Sequence, residues 1–185
     1  PFFAGEGVKL FADEKNTAAL QKAAGASPSL ATLLKAHLDR VGAGDYVGLL
    51  AYVPMTKAHE EALQKPRHLV RDQKKVATCL GFGPRFLHST GQGYKGGPNS
   101  GVFLQITCDD ASDLKVPDQQ YTFGVVKAAE ARGDVGRPRT ANPFVRPAVA
   151  RSYRRRRGSN HLLRKAGSKV ANDCVPSVRH RCGRK

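Results

Sequence analysis

The sequence predicts an α/β protein, and three observations predict it. Tyr46 to Val53 (YVGLLAYV) and Val102 to Thr107 (VFLQIT) are near-continuous apolar runs of strand length, as in parallel strands covered on both faces. Helix-patterned segments alternate with them. Between the last two expected strands lies a glycine-rich stretch, Gly81 to Gly101, GFGPRFLHSTGQGYKGGPNSG. Strand, helix, strand, glycine-rich loop, strand is an α/β order in which a ligand is expected at the carboxyl ends of the strands.

Taken in order, Val8 to Ala12 (VKLFA) reads as a short strand. An Ala-rich helix follows, with Asn16 as its N-cap and Gly25 as its stop. The next helix is capped by Ser27 with Pro28 in its first turn. Leu30, Leu33, Leu34, His37, Leu38 and Val41 form one apolar stripe along it, so His37 is expected to be packed rather than catalytic. Gly42 to Asp45 leads into the Tyr46 to Val53 strand. Lys57 to Asp72 is the crossover helix, and Glu60 and Glu61, adjacent and therefore on different faces, read as solvated. Pro66 falls where this helix should be continuous, so a kink or a late start is expected.

Lys75 to Leu80 is the next strand. After Val102 to Thr107 comes a polar connection, then a helix from Thr122 to Arg132, with Phe123, Val126 and Ala129 inward and Gly133 as stop. Asp109, Asp110, Asp113 and Asp118 lack the spacing, central glycine and closing glutamate of a calcium loop. Cys79 and Cys108 sit in strand-like segments and read as inert thiols in a reducing cytoplasm. Cys174, His180 and Cys182 lack the paired spacing and fourth ligand of a zinc site, so no metal or cofactor is expected.

Charge divides the chain. The formal net charge is +16 and the isoelectric point about 10.1, yet residues 1–134 carry 16 Lys and Arg against 14 Asp and Glu. Residues 135–185 carry 15 against 1. The second segment, interrupted by Pro138, Pro143, Pro147 and Pro176 and containing the run Arg154 to Arg157, is expected to be disordered, with at most a short helix in residues 161–171. Its Arg-, Pro- and Ser-rich composition is what out-of-frame translation of GC-rich DNA produces. The alternative reading makes the chain a basic nucleic-acid-binding protein acting through this tail, though no base-reading module accompanies it. No apolar run reaches the roughly 20 residues that span a bilayer. The start at Pro1-Phe2-Phe3, without initiator methionine or signal-peptide order, is that expected of a fragment or processed product.

The glycine-rich stretch carries the chemistry. Glycines let backbone amides approach a ligand, and Ser89, Thr90, Gln92 and Lys95 supply donors for phosphate or hydroxyl oxygens. Together with LAYVP (residues 50–54) and YTFGVVKAAEARGD (residues 121–134), the stretch GFGPRFLHSTGQGYKGGPNSGVFLQIT resembles the end of the phosphoglucose isomerase part of bacterial bifunctional transaldolase/phosphoglucose isomerase. The resemblance covers residues 1–134.

It implies a three-layer, SIS-like sugar-isomerase sheet. It also implies cytoplasmic interconversion of glucose 6-phosphate and fructose 6-phosphate through an enediol, with a carboxylate base and no cofactor. Carried onto this sequence, Lys95 and His88 are the catalytic candidates, the first reaching ring oxygen or phosphate and the second serving ring opening. Ser89, Thr90, Gln92 and Arg85 are the substrate-binding candidates. The Gln-x-Gly-Val-Glu pattern widely shared by such isomerases is absent here. Glu60, Glu61 and Glu130 read as helix-surface residues, so the base and the transaldolase half are expected upstream. Expected partners are the sugar phosphate, that upstream part and a second copy of the chain.

Overall fold

The computed structural model describes residues 1–136 and 146–152 of the chain. Its sheet is built from β1 (Phe3–Gly5), β2 (Val8–Phe11), β3 (Tyr46–Tyr52), β4 (Ala77–Phe82), β5 (Gly101–Cys108) and β6 (Arg146–Ser152), in the spatial order β1-β2-β6-β5-β3-β4. β3 pairs in parallel with β4 and β5, and β5 with β6; β1 and β2 add an antiparallel edge. The α/β class therefore holds, with parallel strands flanked by helices.

Alternation along β3 and β5 creates two faces. Leu49, Ala51, Leu104 and Ile106 point to one side, where they meet Leu20 of α1 (Glu14–Ala24), Leu30, Leu33 and Leu34 of α2 (Leu30–Leu38), and Leu63 of α3 (Lys57–Lys74). Leu50, Tyr52 and Phe103 point to the other, where they meet Phe86 and Ala131. This second layer holds a 3-10 turn (Arg85–His88), α4 (Gly91–Gly96) and α5 (Phe123–Gly136).

Several local expectations are corrected. The α1 cap is Asp13, whose Oδ1 accepts the Asn16 amide at 2.8 Å; Asn16 itself is buried inside the helix, its Oδ1 accepting from Arg40. The α2 cap is Ser29, not Ser27, because Thr32 lies three residues on and completes a reciprocal capping box. α3 runs unbroken through Pro66. An interior proline costs on the order of 3 kcal/mol, and here the burial of Leu63 and Val70, two turns apart on one face, offsets it. β1, unanticipated, is turned into β2 by Glu6 and Gly7, both at positive φ.

The largest correction concerns the basic segment. Residues 135–136 complete α5, and residues 146–152 form β6, inserted between β2 and β5. Composition describes side chains, whereas a strand flanked on both edges is held by backbone hydrogen bonds, of which Pro147 can accept but not donate. The expectation of disorder thus fails for these residues. The Arg154 to Arg157 run, the short helix in residues 161–171 and the Cys174, His180, Cys182 set lie outside the described residues.

Candidate functional site

The glycine-rich stretch leaves the carboxyl end of β4 and enters the parallel strand β5 at its amino end, so it runs back over one face of the sheet. It is less of an open loop than expected: residues 85–88 and 91–96 wind into helical turns. Aromatic burial is the reason. Tyr94 of α4 packs against Phe103, Tyr46 and Phe86, with ring centroids 5.0, 6.2 and 6.3 Å away. Gly48 on β3 makes room for this layer, since a Cβ there would meet the Phe103 ring at 2.6 Å. The Tyr94 hydroxyl lies 3.1 Å from Cys79 Sγ, and burial followed by that contact pushes its pKa up to about 12.

Lys95, one residue on, turns toward α5. Its Nζ lies 2.7 Å from Oδ1 of Asp134, with the lysine side chain 54% exposed and the aspartate 6%. The other oxygen, Oδ2, accepts a hydrogen bond from the hydroxyl of Tyr52, the last residue of β3. Burial, and then the Asp134 carboxylate that its proton serves, push the Tyr52 hydroxyl well above its ordinary range. Three elements, β3, α4 and α5, therefore meet at one buried carboxylate with a half-exposed ammonium at its rim.

The other candidates are placed differently. His88 and Gln92 are exposed. Arg85 reaches from the 3-10 turn to the β3–α3 connection, its Nη1 3.8 Å from Met55 Sδ. Ser89 Oγ donates to the Phe86 carbonyl at 3.3 Å, and the Thr90 hydroxyl hydrogen-bonds Tyr94. Those two hydroxyls therefore brace the stretch itself, while Lys95 is drawn into a cluster with two residues the sequence did not single out.

Asp134 was legible only as the end of the YTFGVVKAAEARGD stretch, and Tyr52 only as the middle of LAYVP. Glu130, read as a surface residue, is half-buried one turn before Asp134, and its charge is felt at the Tyr52 hydroxyl. The inward face of α5 also differs from expectation. Phe123 is 54% exposed and Ala129 is exposed, whereas Ala131 is buried and its carbonyl accepts from Gln105 Nε2 at 2.7 Å. A polar anchor from β5, with Asp134 one turn later, sets the rotation that an apolar stripe was expected to set.

The remaining readings resolve locally. His37 is buried with Nε2 3.0 Å from the Phe103 carbonyl oxygen, as a packed histidine should be. Glu60 and Glu61 are exposed. Cys79 and Cys108 are free thiols, each half-buried rather than core, and burial pushes Cys108 up. Asp110 pairs with Lys127, and Asp113 caps the start of α5. Among the described residues no cluster of three or more His, Cys, Asp and Glu could hold a metal ion, and no helix is long and apolar enough to cross a membrane.

No protein-family model matches this chain, and no curated protein matches it. Among solved structures, it is similar to the crystal structure of a hypothetical protein from Thermus thermophilus, with a TM-score of 0.62 and 14% sequence identity. The match covers 86% of this chain and 44% of that one, so the chain spans less than half of that protein's length. At this identity the likeness shows the fold alone.

Proposed function

We propose that the chain is part of an aldose-ketose isomerase that interconverts glucose 6-phosphate and fructose 6-phosphate, and that it contributes one wall of the sugar-phosphate site. The observation that carries this reading is the position of Lys95. It stands on the segment that links β4 to β5, half-exposed, with its ammonium held 2.7 Å from a buried carboxylate. Isomerisation opens the ring and then moves a proton from C2 to C1 through an enediol. A cation fixed before the reaction begins stabilises the negative charge that develops on the sugar oxygens.

Lys95 is assigned to that oxygen. His88, exposed on the preceding turn, is assigned to ring opening, giving a proton to the ring oxygen as the C1 hydroxyl loses one. Arg85 is assigned to the phosphate, with exposed Gln92 as a further donor. The backbone around Ser89 and Thr90 shapes the rim, their hydroxyls turned to Phe86 and Tyr94. The carboxylate that takes the C2 proton is assigned to an upstream part of the same enzyme, which the resemblance places in a fusion with transaldolase.

Calorimetric titration with fructose 6-phosphate and with a six-carbon aldonate 6-phosphate, which mimics the planar enediolate, tests the reading without requiring turnover. Binding of either ligand, weakened about tenfold or more by Lys95→Ala, is expected. Absence of binding by both, or equal affinity in the variant, would overturn the assignment.

A further inference from the structure

Lys95 sits on a six-residue helix containing Gly91, Gly93 and Gly96, a poor support for a long flexible side chain. Its location must come from elsewhere, and the contacts supply it. Gln105 on β5 fixes α5 through the Ala131 carbonyl, and one turn on, α5 delivers Asp134 beneath Lys95. Tyr52, 1% exposed, holds the second oxygen of the same carboxylate. A carboxylate so buried is tolerated only with both oxygens engaged.

We propose that Asp134 is a positioning residue, using Oδ1 to hold the Lys95 ammonium beside α5 while Tyr52 fixes Oδ2. This rests on the isomerase reading for the purpose of the lysine, though not for the pairing itself. Asp134 touches no substrate; it decides where the cation waits. The Asp134→Asn change isolates this role, because asparagine retains the shape and an acceptor for Tyr52 while removing the charge that holds the ammonium.

The test is competitive acylation of the ligand-free chain with an amine-reactive reagent. Peptide mass mapping reads the rate at Lys95 relative to Lys57, whose side chain is 90% exposed. Asp134→Asn should speed labelling of Lys95 about fivefold or more, and Asp134→Glu, which restores the charge, should label more slowly than the Asn variant. A smaller acceleration, or a Glu variant as fast as the Asn variant, overturns the proposal. If the Asn chain does not fold, Asp134→Gln compared with Asp134→Glu carries the same thresholds. Repeating the wild-type measurement with fructose 6-phosphate separates the two readings: protection of Lys95 by the sugar bears on the isomerase assignment, while the variant comparison is made with no sugar present.

Discussion

Gly83 lies against the ring of Tyr52 so closely that a Cβ at position 83 would stand 2.6 Å from the ring carbons. The ring has little freedom to retreat. Its hydroxyl is tied to Asp134, and Phe86 packs edge-on against it with centroids 5.8 Å apart. Gly83→Ala should therefore destabilise the fold by about 1–3 kcal/mol, the usual cost of overpacking a filled site. Chemical denaturation gives the measurement: the midpoint should fall while the slope stays constant. A variant as stable as the parent would show that Tyr52 can move without cost.

Gln105 offers a second prediction, because its amide joins the sheet to α5 across the buried layer. Replacing it with leucine keeps much of the volume but leaves the Ala131 carbonyl without its 2.7 Å donor. Among the described residues the buried Gln105 Oε1 has no hydrogen-bond partner, so part of the glutamine's desolvation cost disappears with it. The net destabilisation by Gln105→Leu should be about 1 kcal/mol, read as a shift in denaturation midpoint. Slower exchange of the α5 amides in the variant, rather than faster, would contradict the role of Gln105 as the anchor of this helix.

The order of strands and helices was legible because burial on both faces leaves continuous apolar runs at β3 and β5, and because α2 repeats its leucines at helical spacing. The site was legible in part. Lys95 stands out among glycines, but its partner Asp134 looks like a polar residue at a helix end, and its environment depends on how α5 is rotated. That rotation is set by Gln105, 26 residues before the Ala131 carbonyl that it holds, which no local pattern reveals. The strand at residues 146–152 was hidden for a different reason: its pairing is backbone to backbone across both neighbours, while its composition resembles a solvated tail.

Asp39 provides a prediction in pH. It follows α2, where Lys35 reaches it from the preceding turn and Lys74 reaches it from α3 at 2.8 Å. These two hydrogen-bonded cations, Lys35 first, hold its pKa below the ordinary 3.8. A depressed carboxylate pKa stabilises the fold above the unfolded value, and that contribution disappears as pH falls through the folded value. With the side chain 43% exposed, screening limits the effect to about 0.5 kcal/mol. Asp39→Asn should thus be slightly less stable than the parent at pH 6, and the difference should vanish in acid, once the pH lies below the depressed pKa of Asp39. Thermal melts at the two pH values, with the difference persisting in acid, would refute the assignment.

Asp113 yields a prediction that separates capping from ion binding. Its Oδ1 accepts the Leu114 and Gly124 amides at 2.8 Å each, and its Oδ2 accepts the Thr122 hydroxyl at 2.6 Å. One carboxylate thus closes the connection onto the first turn of α5, and Thr122, then Gly124, hold its pKa below the ordinary carboxylate value. Gly124 fits because a Cβ there would meet the Asp113 carboxylate at 2.4 Å. Asp113→Ala removes an acceptor from three donors at once, and the Gly124 amide should lose its protection. Hydrogen exchange at that amide should accelerate by roughly fivefold or more, while amides in β3 and β5 keep their parent rates, since opening at a helix end is local. The same acceleration should appear in the parent chain as pH is lowered through the depressed pKa of Asp113, after correction for intrinsic exchange. Unchanged exchange in the variant would show that the turn is held by its backbone alone.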